Sequence, residues 1–445
     1  MSDNYANPRH VALKTLYEIE KNDAYSNIAL KKALANTQIK PQDKAFIANM
    51  VYGTVKYKLR LDYIISNFSD VKLKKLSDFV LLILRMGIYQ IIFMDKVPIS
   101  AAVDESVKLA SRYAARSKGL VNAVLRSVAR EKDNILYPQD RAEYMSVYYS
   151  YPRELVDMWI DELGIDVCDQ LLECMNVPPP ITARVNTGKV SSSECIKVLT
   201  GASIQADEAV LEDSIIISGG DIAKIPGYAA GHFTPQGLSS MLAVQVLAPQ
   251  DGMMVMDVCA APGGKSTYIA QLMHGSGEVA AFDIFAHKIE LINQNAERMG
   301  FENIHASVHD ASATDSAYIG KADRVLVDAP CSGLGIIRKK ADIKWGFSRD
   351  KVRDLSQLQL GILSASAEYV KPGGELVYST CTISDAENLA VCKAFLAQNT
   401  AFEPMDIKCN LPLFLQKDTA KEGFIQIYPQ DNGMDGFFIF KMRRK

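Results

Sequence analysis

No two of the eight cysteines form a C-x-x-C pair, and no histidine stands near them at ligand spacing, so the 445-residue chain carries no recognisable metal site. Unpaired thiols in a chain of this length point to a reducing cytoplasm. Long hydrophobic runs are missing too. The most apolar stretch, residues 79–94, is too short for a bilayer span and carries Arg85, so it reads as a buried helix. The opening MSDNYANPRH is polar and runs directly into an amphipathic pattern, unlike a signal peptide. There is no internal repeat and no low-complexity tract. What remains, with 48% hydrophobic and 23% charged residues, is an ordinary globular composition, enough at this length for about two to four domains.

Net charge is only −3, but it is unevenly spread. Residues 1–140 hold 22 Lys and Arg against 14 Asp and Glu. A basic front module on an acidic remainder suits a polyanionic partner, although a lysine-rich solvated surface accounts for the charge equally well. Apolar residues from Pro8 to about Lys132 recur at helical spacing, which predicts an all-α bundle. The remainder alternates strand and helix patterns around one stretch, GMMVMDVCAAPGGKSTY at 252–268. An apolar run there meets a glycine turn that opens a helix, as at the start of a βα unit. Gly263 and Gly264 let the backbone approach a ligand, and the helix N-terminus favours an anionic group.

The G-x-G-x-x-G pattern that clears a pyrophosphate is absent from that turn, yet Asp283 ends the next apolar run, twenty positions after Gly263. Asp310 and Asp328 close two further runs. A ligand with a ribose and an adenine but no phosphates, such as S-adenosylmethionine, fits this series. Two cysteines fall at strand ends beside it, Cys331 in DAPC and Cys381 in YSTC. Methylating an unactivated pyrimidine carbon needs such a thiolate: sulfur added at C6 makes C5 nucleophilic. A free thiol has a pKa of about 8.5 and needs help to ionise. Ser384-Asp385-Ala386-Glu387 reads as a capping box whose helix would turn its positive end towards Cys381.

CAAPGGK (259–265), DAPCSGLG (328–335), DIKW (342–345), STC (379–381) and DGFF (435–438) together resemble the RNA cytosine-5 methyltransferases, the Nop2/Sun family. The match runs over essentially the whole chain. In the front region Asp43-Lys44-Ala45, Tyr52-Gly53 and GLVNAVLR at 119–126 are similar to a NusB-like RNA-binding domain, which singles out the branch of the family acting on 16S ribosomal RNA. The resemblance implies a NusB-like helical domain (1–140), a small α+β domain (146–232) and a Rossmann-like class I methyltransferase domain (233–445) with a seven-stranded sheet. It implies S-adenosylmethionine as cofactor; no metal and no membrane are expected, and the chain is expected to act as a monomer on free or early-assembly 16S RNA. Cys381 would be the nucleophile, Cys331 would assist release, and Asp328 would hold N3 and N4 of the base. Cys259, Ala260, Ala261, Pro262, Gly263, Gly264, Lys265, Asp283, Asp310 and Asp328 would line the cofactor site. Lys265 would meet either the methionine carboxylate or an active-site acid.

The chain departs from the family pattern at Gly237, where an acid is usual, and at Lys340-Ala341, where histidine and proline are usual. Residues 336–345, with Arg338, Lys339, Lys340 and Lys344 around Trp345, form a candidate substrate loop for single-stranded RNA. Arg184, in an R-x-N strand, reads as a phosphate contact or a solvated edge residue. Transfer RNA or another ribosomal site stays open as the substrate. A non-catalytic RNA-binding assembly factor and a small-molecule methyltransferase stay open as functions, though neither calls for two thiols.

Overall fold

The structure, a computed structural model, describes residues 7–22, 24–35 and 39–445. Contacts divide the chain into two compact units: residues up to Asn176 together with Lys340–Gly346, and Val177–Lys339 together with Phe347–Lys445.

The first unit is helical, as the periodicity predicts. Its centre is the helix Asp78–Phe93, which is apolar on nearly every side and is surrounded by the helices Pro8–Asn22, Pro41–Lys56, Lys58–Phe68, Ile99–Tyr113 and Lys118–Glu131. Arg85 can sit in that helix because its charge is matched: its guanidinium meets Asp62 at 2.6 and 2.8 Å and Glu20 at 3.0 Å. Three further helices, Arg141–Tyr149, Arg153–Leu163 and Ile165–Met175, belong to the same unit.

Lys340–Gly346 completes this unit from far along the chain. Lys344 is fully buried, donates to the Lys56 carbonyl at 2.8 Å and lies 4.0 Å from the ring centre of Tyr151. Trp345 Nε1 donates to the Val55 carbonyl at 3.0 Å, and Asp342 accepts from Ser26 Oγ at 2.5 Å. The last carbonyls of a helix have no partner within it, so an ammonium and an indole N–H are well matched to the end of Pro41–Lys56. The expected RNA loop is therefore corrected at its core: Lys344 and Trp345 are internal anchors. Arg338 and Lys339 are also engaged, within the second unit, by Asp435 at 3.7 and 2.6 Å.

The second unit holds two sheets. The smaller is antiparallel, with β1 (Ile181–Val185), β2 (Gln205–Glu208), β3 (Ser214–Ser218) and β4 (Phe233–Pro235) in the order β2-β3-β1-β4. The helix Ser192–Gly201 packs on it behind a complete capping box of Ser191 and Glu194. The larger sheet contains β5 (Met254–Asp257), β6 (Glu278–Asp283), β7 (Ile304–Val308), β8 (Ala322–Asp328), β9 (Val370–Thr380), β10 (Phe402–Pro404), β11 (Phe424–Ile427) and β12 (Phe437–Arg444). Its order is β10-β12-β9-β8-β5-β6-β7, with β11 also on β12; β5 to β9 run parallel and β10 to β12 antiparallel. Eight strands form it, one more than expected. The added strand is β10, three residues too short to show a period.

Alternation along the strands feeds two cores. Val255, Val279, Ala281, Leu326, Val377 and Ile439 face one helical layer, with Leu238–Leu247 and Gly264–Leu272, while Met256, Ala280, Phe282, Val325, Val327 and Tyr378 face the other. Strand order reverses beside β5, the place where an open α/β sheet leaves a crevice at its carboxyl edge. Asp257, Asp283, Asp328 and the Thr380–Cys381 step all arrive at that edge.

Candidate active site

The turn after β5 leads into the helix Gly264–Leu272, and its two glycines have different tasks. Gly263 has φ +97°, and a Cβ there would lie 3.1 Å from Ile292 Cα, so this glycine admits the neighbouring helix Ala286–Met299 rather than a ligand. Gly264 has only Gln236 Cδ near its absent Cβ, at 3.9 Å, and it lines a cavity of about 210 Å³. Cys259, Ala260, Ala261, Pro262, Lys265, Asp257 and Asp328 line the same cavity, together with Gln236 and Gly237. Asp283 and Asp310 are not part of that lining. Asp283, 7% exposed at the end of β6, accepts from the Phe285 N–H at 3.2 Å and pairs with Lys288 at 3.3 Å. Asp310 is exposed, and bonds from the Ser312 hydroxyl and N–H hold its carboxyl below the usual range.

Lys265 reaches Asp328 rather than standing free. Its Nζ lies 2.5 Å from Asp328 Oδ2, while Ser379 Oγ donates to Asp328 Oδ1 at 2.9 Å. Burial opposes the Lys265 charge, but Asp328, Asp257 and Cys381 outweigh it and raise the ammonium pKa. Asp257 is a site residue that motif reading left unassigned. It is fully buried, Oδ2 accepts from Ser266 Oγ at 2.7 Å, and Oδ1 has no protein partner among the described residues. Burial pushes its carboxyl up to about 7 against the pull of Ser266 and Lys265. Its only sequence signal was an acid inside an apolar strand end.

Cys331 and Cys381 are brought together, as expected of two strand ends in register: Asp328 pairs with Ser379, and the sulfurs lie 3.3 Å apart with no disulfide between them. The Cys331 thiol is pushed well above its ordinary value by its bond to Cys381, then by burial, then by the charges of Cys381 and Glu387. Cys259 is likewise raised, by burial and then by Asp257, Asp328 and Asp283, which suits an inert small residue.

The expected capping box is not formed. Asp385–Glu387 is a single 3₁₀ turn, Ser384 makes no capping bond, and Asn388 (φ −110°, ψ −100°) separates the turn from the helix Leu389–Gln398. Glu387 turns inward instead, where Ser332 and Gln359 give its carboxylate donors that a surface cap lacks. The cation beside Cys381 is Lys265, not a helix terminus.

One further expectation is revised. Arg184 is fully buried: it donates to Gln236 Oε1 and Thr267 Oγ1, each at 2.8 Å, and to Gln271, with Tyr268 4.7 Å away. It braces the helix after the 259–265 turn, and burial lowers its pKa to about 9. At Gly237, a Cβ would lie 2.9 Å from Asp435 Oδ2, so the DGFF aspartate occupies the space beside this position.

The lining suits S-adenosylmethionine. The unpartnered Asp257 oxygen offers an acceptor, the Gly264 flank leaves backbone exposed to a ligand, and Asp283 ends the adjacent strand. Among the described residues no cluster of His, Cys, Asp and Glu could hold a metal ion, and no helix is long and apolar enough to cross a membrane.

Comparison with known proteins agrees with this geometry. Residues 244–443 match the family model described as 16S rRNA methyltransferase RsmB/F, residues 6–130 the NusB family, and residues 151–222 the RsmF/B-like ferredoxin-like domain. A Bacillus subtilis protein named probable ribosomal RNA small subunit methyltransferase B is 37% identical, covering 98% of each chain. A Synechocystis protein of the same name is 32% identical over 98% of this chain and 99% of its own. The crystal structure of PH0851 superposes with a TM-score of 0.81 at 25% identity, covering 99% of both chains. The chain belongs to the RsmB/F family of 16S rRNA methyltransferases and is an S-adenosylmethionine-dependent RNA methyltransferase.

Proposed function

We propose that the protein methylates C5 of one cytidine in 16S ribosomal RNA, at a site of the position-967 type, through a covalent bond between Cys381 and C6 of the base. The observation that carries this reading is the pair of thiols 3.3 Å apart, with Lys265 and Asp328 beside them on the same sheet edge. Full-length similarity to proteins named ribosomal RNA small subunit methyltransferase B supports the RNA. The enzyme works as a cytoplasmic monomer on free or early-assembly RNA, and the basic helical region, residues 1–140, grips phosphates.

S-Adenosylmethionine, when bound, supplies an electrophilic methyl group. Residues 259–262, Gly264, Lys265, Asp283, Asp310 and Asp328 would hold it, with Asp283 on the ribose hydroxyls and Asp310 on the adenine amine. The target cytosine leaves its stack to reach the site. Asp328 addresses N3 and the exocyclic amine, with Lys265 as the adjoining proton source, so that C6 becomes electrophilic. Cys381 sulfur then bonds to C6 and C5 takes the methyl group. Loss of the C5 proton restores the ring double bond as the sulfur departs. Bisulfite sequencing of ribosomal and transfer RNA from a strain lacking the gene tests this. One 16S cytidine should lose its protection. Loss confined to transfer RNA would refute the assignment.

A further inference from the structure

We infer that Glu387 is a positioning residue for both thiols: one buried carboxylate ties the loop after Cys331 to the loop after Cys381 and keeps the two sulfurs electrically unlike. This rests on the roles proposed above for the two cysteines. Glu387 is fully buried. Its Oε1 accepts from the Ser332 N–H at 2.8 Å and from Gln359 Nε2 at 3.0 Å; its Oε2 accepts from Ser332 Oγ at 2.5 Å and from Thr382 Oγ1 at 3.3 Å. Ser332 directly follows Cys331, and Thr382 directly follows Cys381. Their hydroxyls also meet each other at 2.9 Å, and Gln359 holds the Pro330 carbonyl at 3.0 Å. The Glu387 carbonyl accepts from Tyr378 OH at 2.7 Å, which fixes the turn itself against β9. The backbone beside each sulfur is thus hung from a single side chain.

The charges around the pair are arranged in opposite senses. Lys265, paired with Asp328, interacts with Cys381, whereas Glu387 interacts with Cys331. Cys331 also faces Cys381 itself, the Gly333 N–H and Tyr378, and among these only the Gly333 N–H favours its thiolate. Cys381 therefore faces an ammonium, while Cys331 keeps its proton beside a carboxylate. That proton has a use at release. Across the 3.3 Å gap the Cys331 S–H passes its proton to the departing Cys381 sulfur, and the C5 proton of the methylated base replaces it on Cys331. The C6–S, C5–H and Cys331 S–H bonds break. The C5=C6 double bond and a thiol on each cysteine form, and no outside reagent is consumed.

Glu387→Gln in the full chain keeps the shape and removes the charge. Iodoacetamide labelling of Cys331 across pH, in a Cys381→Ala background, should move its midpoint down by about one pH unit when Glu387 is also replaced. With both cysteines present, Glu387→Gln should still form the RNA adduct but release it about tenfold more slowly, a change of about 1.4 kcal/mol in barrier. An unshifted labelling midpoint together with release at the wild-type rate overturns the inference. Should Glu387→Gln fail to fold, Ser332→Ala carries the same test: slower release supports the clamp and wild-type release refutes it. Labelling uses no RNA, so absence of an adduct in every variant would refute the reaction assignment without touching the assignment of Glu387.

Discussion

Lys265 Nζ and Asp328 Oδ2 stand 2.5 Å apart at the ends of two different βα steps, and Asp328 is the main compensation for the burial of Lys265. The 259–265 turn and the strand before Cys331 are thereby joined by a charge pair. Removing one partner of such a pair leaves a buried charge alone, at a cost of about 3–5 kcal/mol. Lys265→Met should lower stability towards urea by roughly the smaller of those values, because the Asp328 side chain keeps 25% exposure. Lys265→Met with Asp328→Asn should recover part of the loss, and equal losses in single and double variants would deny the coupling.

The two cysteines separate by what accumulates. Cys381→Ala should give neither methyl transfer nor an RNA adduct. Cys331→Ala should stall after methyl transfer and leave enzyme joined to RNA through denaturing electrophoresis. The double variant should lose that band. An adduct that persists in Cys381→Ala and vanishes in Cys331→Ala would reverse the roles, as in DNA cytosine methyltransferases that use the Pro-Cys thiol.

Asp257 makes stability depend on pH. Its carboxyl titrates near 7 when folded, chiefly because of burial, against about 3.9 in an unfolded chain. The folded state therefore holds an extra proton between those values, and stability falls as pH rises from about 4 through about 7, by on the order of 4 kcal/mol in all. Asp257→Asn cannot ionise. Thermal unfolding of the two proteins from pH 5 to pH 8 should show the wild type losing ground to the variant, and parallel curves would contradict the assignment.

Cofactor affinity should divide the two outlying acids. Asp283 is nearly enclosed, so Asp283→Ala should weaken S-adenosylmethionine binding by about 1–3 kcal/mol, the cost of unpaired buried hydroxyls. Asp310 is exposed and its oxygen already serves Ser312, so Asp310→Ala should fall at or below the lower bound. Calorimetric affinity within twofold of wild type for Asp283→Ala would remove that residue from the site.

What the sequence made legible was whatever depends on chain order and period. Strand ends carrying Asp283, Asp328 and Cys381 followed from apolar runs that stop, and a parallel sheet then had to bring those ends to one edge. Glu387 was misread because S-D-A-E satisfies a local capping rule, and only the tertiary setting supplies the Ser332 and Gln359 donors that outbid it. Arg184 and Lys344 failed for the same reason in the other direction. A basic residue's default is solvent, and nothing local announces that Gln236, Thr267 or a distant helix carbonyl will take its protons. Asp257 was visible as an acid, but its elevated titration depends on burial from every side.

The placement of Lys340–Gly346 has a consequence for synthesis. The helical unit's first 176 residues leave the ribosome well before its closing segment, which at about 5–20 residues per second follows roughly 10–30 s later. Until then the Val55 and Lys56 carbonyls and the Tyr151 ring await Trp345 and Lys344. β8 and Cys331 are already made when that segment appears, so a nascent chain cannot finish its helical unit without having first translated both that strand and one of the two paired active-site cysteines.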